Sequence, residues 1–187
     1  NSVTVNTSAS ADAPQRTGGG GGGGAAPAQA GDVVSQVAPG IYVSNGAYQS
    51  VLVEMETAVV VIDGLQSDER SAQIIAQAKA LFPAKRIRYV ISTHNHFDHA
   101  SGLRAFAAEG ATIITHKLNE EFFKTALSLP RTLEPSGLSF VPVAVLGIGD
   151  SFTLSDPQNQ IQLHRIQDSA HADDMLIVYL PAIHAVV

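Results

Sequence analysis

The chain has 187 residues, of which 45% are hydrophobic and 15% are charged, and its formal net charge is −6 at pH 7. This composition is typical of one globular domain with a tail, and its apolar runs are far shorter than the ~20 residues of a membrane-spanning helix. The few basic residues are scattered, so we expect no nucleic-acid partner held through phosphate contacts. The sequence contains no cysteine, so a metal ion would have to be bound by imidazole and carboxylate groups.

Residues 1–35 differ in composition from the rest of the chain. They contain an uninterrupted glycine run at 18–24, which has much backbone entropy to lose and no side chains to bury. We interpret residues 1–35 as a flexible low-complexity linker and residues 36–187 as the folded domain. Residues 2–6 alternate like a strand, which we interpret as the end of an additional domain N-terminal to the linker. No secretory signal is recognisable, and the sequence leaves the compartment open.

The first half of the domain predicts strands followed by a helix. Runs rich in β-branched residues at 41–43, 51–54 and 58–62, separated by turn residues, predict an antiparallel meander. Ser67 is a candidate N-cap, and apolar residues at helical spacing predict a helix that ends before Pro83.

Helices and strands alternate in the rest of the domain. Helices are predicted at 100–109 and 117–127, and strands at 87–92, 111–115, 151–154, 160–166, 175–180 and from 184 onward. Residues 130–146 are proline-rich and show no clear period, so no element is predicted there. Strands, then alternating helices and strands, then strands again indicate sheets covered by helices. The core is predicted to include Leu81, Ile91, Ile113 and Val178.

The segment at residues 92–99 carries the chemistry. It reads Ser-Thr-His-Asn-His-Phe-Asp-His and lies between a predicted buried strand and a predicted helix. Without a ligand, packing His94, His96, Asp98 and His99 into one turn would leave buried polar groups unsatisfied. Zinc accepts imidazole nitrogen and carboxylate oxygen, so the combination indicates a metal site. In an extended stretch His94 and His96 point to the same side, whereas Asp98 and His99 can diverge toward a second ion.

This segment resembles the signature of the metallo-β-lactamase superfamily. The flanking residues 62–64, 100–103 and 110–116 agree, and residues 169–171 and 175–181 resemble the next metal histidine and the strand after it. The likeness covers roughly residues 37–187. It implies an α+β fold, the four-layered αβ/βα sandwich in which mixed sheets are covered by helices.

The resemblance also implies a set of ligands. His94, His96 and His171 would bind a first zinc ion, and Asp98 with His99 would bind a second. A metal-bound hydroxide would be the nucleophile, which Asp98 would orient before helping to protonate the leaving group.

One part of the family pattern is not found in the sequence. In this superfamily a bridging Asp follows one strand after the position of His171, and a last His follows much later, but neither occurs before Val187. We therefore expect a fold that is incomplete at the C-terminus and a chain in which one of the two zinc ions could be weakly bound.

Two further polar residues lie near the predicted site. Asp63 is interpreted either as an anchor that orients the metal-binding loop or as an acidic turn residue before Gly64. His116 is interpreted either as a support or substrate contact or as a polar residue at a strand–helix junction. The pair Phe122 and Phe123 is interpreted as helix packing, with substrate contact as the alternative.

Other polar residues are predicted to lie outside the site. His164 and His184 are expected to be structural or exposed, and Asp173 and Asp174 are expected to be loop and strand-entry residues rather than ligands.

Two functions follow from the motif and the resemblance. The first is a zinc-dependent hydrolase that acts on a small-molecule substrate with an ester, lactone, thioester or lactam bond. The second is a non-catalytic or degenerate metal-binding or interaction module of the same fold. The number of metal ions bound per chain distinguishes them.

Overall fold

The structure is a computed structural model that describes residues 34–46, 48–130, 138 and 142–187. In chain order the first half contains β1 Val34–Ala38, β2 Ile41–Ser44, β3 Ser50–Glu54, β4 Ala58–Ile62, α1 Asp68–Leu81, β5 Arg86–Ile91, α2 Phe97–Ala100 and α3 Leu103–Ala108. The second half contains β6 Thr112–His116, α4 Lys117–Ser128, β7 Ala144–Ile148, β8 Ser151–Ser155, β9 Gln160–Arg165, β10 Leu176–Leu180, a short 3-10 helix Pro181–Ile183 and β11 Ala185–Val186. Within the described ranges, no helix is long and apolar enough to span a membrane.

The strands form two sheets. The larger sheet has the order β1-β2-β3-β4-β5-β6-β7, in which β1 to β4 pair antiparallel and β4 to β7 pair parallel. The smaller sheet has the order β11-β10-β9-β8 and is antiparallel. The antiparallel meander predicted for the first strands is therefore confirmed. The parallel half places the C-terminal ends of β5 and β6 at the same edge, where the segment 92–99 begins.

The domain has three layers, with one hydrophobic core between each neighbouring pair of layers. One core packs α1, α3 and α4 against the larger sheet, with Ile74, Phe106 and Phe123 from the helices. The other packs the two sheets together, with Ile62 and Ile91 meeting Leu163 and Val178. Strand β4 is buried along its whole length because both of its faces are covered. Within the described residues the layers are helices, mixed sheet and antiparallel sheet. These layers agree with the predicted α+β class, and the fourth layer of the predicted αβ/βα sandwich, a second layer of helices, is not found among the described residues.

Most predicted core positions and helix ends agree with the structure. Ile91, Ile113 and Val178 are fully buried, whereas Leu81 is partly buried and packs on the helix-side core. Ser67 is the N-cap of α1, because its hydroxyl accepts the backbone N–H of Arg70.

Three predicted boundaries need correction. The single helix predicted at 100–109 is two helices, α2 and α3, joined at Gly102. The linker predicted for residues 1–35 lies almost entirely outside the described residues. Strand β1 includes the last two residues of this predicted linker, because residues 34 and 35 pair with β2. Strand β7 lies largely in the stretch 130–146, for which the sequence predicted no element, and it extends the sheet beside β6.

The turn after β4 has an unusual backbone. Asp63 and Leu65 have left-handed φ angles of 64° and 55°, a region that Asp tolerates better than most residues. Asp63 N–H donates to Ile91, and Gly64 N–H donates to His99, so the turn is tied to the start and the end of the segment 92–99. A Cβ at Gly102 would collide with Ser71 and with the Gly64 carbonyl, so glycine permits this close approach.

Candidate metal centre

The histidine loop, residues 92–99, connects β5 to α2 at the C-terminal edge of the larger sheet. Its first residue continues the sheet, because Ser92 N–H donates to the Ile114 carbonyl of β6. Thr93 accepts from Leu176 N–H through its carbonyl, which brings the start of β10 against the loop. The loop therefore contacts both sheets, and side chains from the segment that precedes β10 can reach it.

Three imidazoles converge above this edge. His171 Nε2 lies 3.1 Å from His94 Nε2 and 3.1 Å from His96 Nδ1. His94 is buried, His96 is half-buried and His171 is exposed, so the group faces solvent on one side. The structure thus brings together the three residues that the family resemblance implied for a first metal ion.

Asp98 and His99 lie beside this group. The Asp98 Oδ2 atom is 3.5 Å from His99 Nε2, and both side chains are partly exposed. One ligand atom from each of Asp98, His99 and His94 can be chosen so that all lie within 4.8 Å of one another. Because His94 Nε2 already faces His171, Asp98 and His99 are the two residues of this second group that the first group does not share.

One buried carboxylate anchors both groups. Asp63, which is 5% exposed, accepts the Thr93 backbone N–H at 2.9 Å and the Thr93 hydroxyl at 3.0 Å. Its other oxygen lies 2.7 Å from His99 Nδ1. A carboxylate that holds one ring nitrogen of a histidine leaves the other nitrogen oriented toward a metal. This contact agrees with the first of the two interpretations of Asp63, an anchor that orients the metal-binding loop.

The same network assigns the tautomer of His94. Thr93 Oγ1 has a single proton, which it donates to Asp63, and Oγ1 also lies 3.1 Å from His94 Nδ1. The hydroxyl oxygen must then accept a hydrogen bond from His94 Nδ1–H, which leaves the lone pair on Nε2 facing His171. Burial, followed by repulsion from His99, lowers the pKa of His94 to about 4. His94 is therefore neutral at physiological pH, as a metal ligand must be.

His99 is in a different electrostatic environment. Burial disfavours its charged form, but the hydrogen bond to Asp63 and the charges of Asp63 and Asp98 outweigh burial and raise the pKa of His99. The two carboxylates around this ring are the partners that would also attract a cation.

The donor set fits zinc. With Zn–N bonds of about 2.0–2.1 Å, a tetrahedral ion separates its ligand nitrogens by about 3.3 Å. The two nitrogen–nitrogen distances of 3.1 Å around His171 are close to this separation. The chain supplies imidazole and carboxylate groups and no thiolate, which is the chemistry that His/Asp-bound zinc uses.

His116 lies at the same sheet edge but has other partners. Its ring is fully buried at the N-cap of α4, where Nδ1 accepts the Leu118 N–H and Nε2 lies 3.2 Å from Asp150. The hydrogen bond to His116, followed by that to Gln167, lowers the pKa of Asp150. Among the described contacts of His116, none is to the histidine loop.

The polar residues that were predicted to lie outside the site do lie outside the two groups of possible ligands. His164 is exposed on β9, and His184 has a left-handed backbone and contacts Tyr179. Asp173 is exposed and Asp174 is buried just before β10, and neither belongs to a described group that could hold a metal.

Three supporting contacts were not predicted from the sequence. The Thr93 hydroxyl links Asp63 to His94. The Ser169 hydroxyl accepts the backbone N–H of His171 at 3.2 Å and so fixes the turn that carries this residue. Asn95 donates to Asn119 of α4 at 3.2 Å, which ties the histidine loop to the helix layer. Thr93, Asn95 and Ser169 each lie within two residues of a predicted ligand, which is the local signal that these contacts offered.

The chain belongs to the metallo-β-lactamase superfamily, a superfamily of metal-dependent hydrolases, because the family model of that description matches residues 44–182. The predicted family is thereby confirmed. A curated relative, the 2,4-dinitroanisole O-demethylase subunit alpha of Nocardioides sp. (strain JS1661), is 29% identical over 98 residues. These residues are 51% of this chain and 30% of that protein, so the chain spans less than a third of the relative's length.

Solved structures show the same fold. A metallo-β-lactamase from Pontibacter korlensis superposes with a TM-score of 0.61 at 16% identity, covering 81% of this chain and 67% of that one. A metallo-β-lactamase with a HARLDQ motif from Cronobacter sakazakii gives 0.58 at 24% identity, covering 79% and 59%. At these identities the likeness carries the fold, which confirms the predicted fold class.

Proposed function

We propose that this chain is a zinc-dependent hydrolase that cleaves an ester, lactone, thioester or lactam bond in a small-molecule substrate. The observation that carries the proposal is the convergence of ring nitrogens from His94, His96 and His171 directly beside Asp98 and His99. Membership of a superfamily of metal-dependent hydrolases supports the same reading.

Each residue has a role in this proposal. His94, His96 and His171 would hold one zinc ion, and Asp98 with His99 would hold another. When bound, such ions activate water for attack and polarise the bond that is cleaved. Asp63 keeps the His99 ring and, through Thr93, the His94 ring in the tautomers that present Nε2.

Asp98 is the residue proposed to act as the general base and then as the general acid. Its carboxylate is partly exposed and lies beside the rings, so an oxygen can accept a hydrogen bond from the attacking water. The same oxygen can then carry the proton to the leaving group, which avoids release of an unstable anion.

The alternative is a non-catalytic or degenerate metal-binding or interaction module of this fold. The observation that favours it is that, within the described residues, the second group has only Asp98 and His99 that are not shared with the first. Two protein ligands are fewer than zinc sites normally have, so the second ion would be weakly bound.

A substrate panel distinguishes the two. We expect the chain to hydrolyse at least one of an aryl ester, a γ-lactone, a thioester and a β-lactam, to lose this activity with a chelator and to regain it with zinc. The panel should include 2,4-dinitroanisole, because that compound gives the Nocardioides relative its name. Zinc binding without turnover of any member would favour the alternative module.

A further inference from the structure

The first group of candidate ligands draws its residues from loops on both sheets. His94 and His96 follow β5 of the larger sheet, whereas His171 lies in the His171 loop, residues 167–174, between β9 and β10 of the smaller sheet. The distances of 3.1 Å between their ring nitrogens therefore depend on how the two loops are aligned. Because a site that is loose by about 1 Å binds poorly, contacts that fix the His171 loop affect metal binding.

Asp150 joins both ends of the His171 loop to the rest of the domain. Among the described hydrogen bonds of the loop, one leaves the β9–β10 hairpin without involving His171, and in it Gln167 Nε2 donates to Asp150 Oδ2 at 3.2 Å. The other end of the loop is held by Arg165, whose Nε donates to the Asp173 carbonyl at 2.8 Å. Arg165 is in turn tied to Asp150, because its backbone N–H donates to the Asp150 carbonyl at 2.8 Å and its Nη1 lies 3.8 Å from Oδ1.

Asp150 is itself held by a buried histidine of the larger sheet. It lies in the turn between β7 of the larger sheet and β8 of the smaller one, and its Oδ1 atom is 3.2 Å from Nε2 of His116 at the end of β6. His116 Nδ1 accepts the Leu118 N–H, so Nε2 carries a proton and donates it to a hydrogen bond with Asp150. The His116 ring is fully buried, so this N–H needs such an acceptor.

The contacts of Asp150 align the two sheets at the edge where the ligands meet. The hydrogen bonds from His116 and Gln167 lower the pKa of Asp150, so its carboxylate is ionised near neutral pH and accepts on both oxygens. The side chain is half-exposed, and ion pairs at such positions contribute little to overall stability. The main consequence of these contacts is therefore expected in the position of the His171 loop.

We propose that Asp150 and His116 are positioning residues that hold the His171 loop in place for metal binding. They act through Gln167 and Arg165, and their described contacts include no candidate ligand. The inference rests on the proposed function for the zinc ion, whereas the alignment of the loop is a property of the chain without metal. It assigns His116 to the support of the site rather than to substrate contact.

The order of the loop is measured first without metal. Backbone ¹⁵N relaxation is recorded on the isotope-labelled full chain in the presence of a chelator, for the parent and for Asp150→Ala. We expect order parameters of the His171 loop near the rigid value of about 0.85 in the parent and near about 0.6 in the variant. The reason is that the variant removes the acceptor of Gln167 and the ionic partner of Arg165.

Zinc affinity is then measured by competition with a zinc-binding dye. Asp150→Ala should weaken the tighter zinc site about ten-fold, the lower end of the effect of residues that support metal ligands. Asp150→Asn should restore most of this affinity, because its amide oxygen still accepts from His116 and its NH₂ donates to Gln167 once that amide is turned over.

A variant of His116 tests whether it acts through Asp150. His116→Asn keeps an acceptor that can cap α4 but is too short to reach Asp150, so it should also weaken zinc binding about ten-fold. Because the two residues act in one chain of contacts, His116→Asn combined with Asp150→Ala should be no weaker than either variant alone.

Asp156→Ala is the matched control for a general loss of stability. Asp156 is a carboxylate at the other end of β8, roughly 20 Å from Asp150 along the strand, and its side chain accepts three backbone N–H groups. Urea denaturation should show that Asp156→Ala is destabilised at least as much as Asp150→Ala. Its zinc affinity should nevertheless change less than about two-fold, and the order of the His171 loop should be unchanged.

The outcomes separate this inference from the proposed function. Unchanged zinc affinity in Asp150→Ala, or an equal loss in Asp156→Ala, would overturn the inference even if the chain hydrolyses a panel substrate. Additive losses in His116→Asn and Asp150→Ala would overturn the link between the two residues. A zinc affinity that falls in these two variants and not in the control, in a chain that hydrolyses no panel member, retains the inference and rejects the hydrolase.

Discussion

Replacing Asp63 with Asn is expected to destabilise the chain by about 2–4 kcal/mol and to weaken zinc binding about 10–100-fold. Asn keeps the size of Asp and tolerates the left-handed backbone at this position, so the backbone turn is preserved. An amide group cannot accept hydrogen bonds on both sides, so its NH₂ faces a donor from Thr93 or from His99. One buried donor then stays unsatisfied, and the ring orientation of His99 is lost.

Urea denaturation in the presence of a chelator measures the stability change without a metal contribution, and competition with a zinc-binding dye measures affinity. Asp173→Asn is the matched control, because this exposed carboxylate lies two residues after His171. We expect the control to stay within about 0.5 kcal/mol of the parent chain. An Asp63→Asn chain as stable as the control would show that Asp63 does not anchor the histidine loop.

Replacing His96 with Ala is expected to abolish high-affinity zinc binding at the first group, whereas Asp98→Asn is expected to keep that ion and weaken the second. His96 contributes one of three converging ring nitrogens, and losing it should cost more than the roughly 10–100-fold typical of outer hydrogen-bond partners. Asp98 instead lies beside His99, so its loss of charge acts on the other group.

Metal analysis after dialysis and kinetics on a lactone and a β-lactam measure these effects. His164→Ala is the control, because it removes an exposed histidine on β9 and should change neither metal content nor activity. Asp98→Asn should lower kcat more than it raises KM, because the carboxylate is proposed to act on protons during the reaction. Equal metal loss in His96→Ala and Asp98→Asn would contradict the two groups, and full activity of Asp98→Asn would contradict its catalytic role.

Local patterns in the sequence predicted the elements whose own residues show a clear apolar run or a helix cap. Strand β4 is an unbroken run of Ala, Val and Ile, and it is buried on both faces in the parallel part of the sheet. Helix α1 begins at its predicted Ser67 cap. These signals lie within a few residues of one another, so they are readable without the rest of the fold.

Strand β7 shows what local patterns miss. Its residues, Ala144–Ile148, follow a proline-rich stretch and include Gly147, which lowers strand propensity. The structure explains why glycine occupies this position, because a Cβ there would collide with Glu120 of α4. The strand forms because its backbone pairs with β6 and because α4 packs against it. Neither partner can be recognised from the residues of the strand itself.

The residues of the candidate site likewise fall into those that a local pattern indicated and those that it did not. His94, His96, Asp98 and His99 lie in one short segment, so their residue types alone indicated a metal. His171 is 77 residues from His94, and only the family resemblance linked the two. The bonds from Asp63 to Thr93 span 30 residues, so they depend on how the strands pack and could not be predicted from a local pattern.

The number of zinc ions bound per chain tests the central claim most directly. The full chain is loaded with zinc, dialysed against metal-free buffer and analysed for metal, and zinc is then titrated back to resolve the binding steps. The two groups predict two equivalents, the tighter one absent in His96→Ala and the weaker one reduced in Asp98→Asn. A parent chain that retains and rebinds no zinc, or that binds one equivalent unaffected by His96→Ala, would contradict the account.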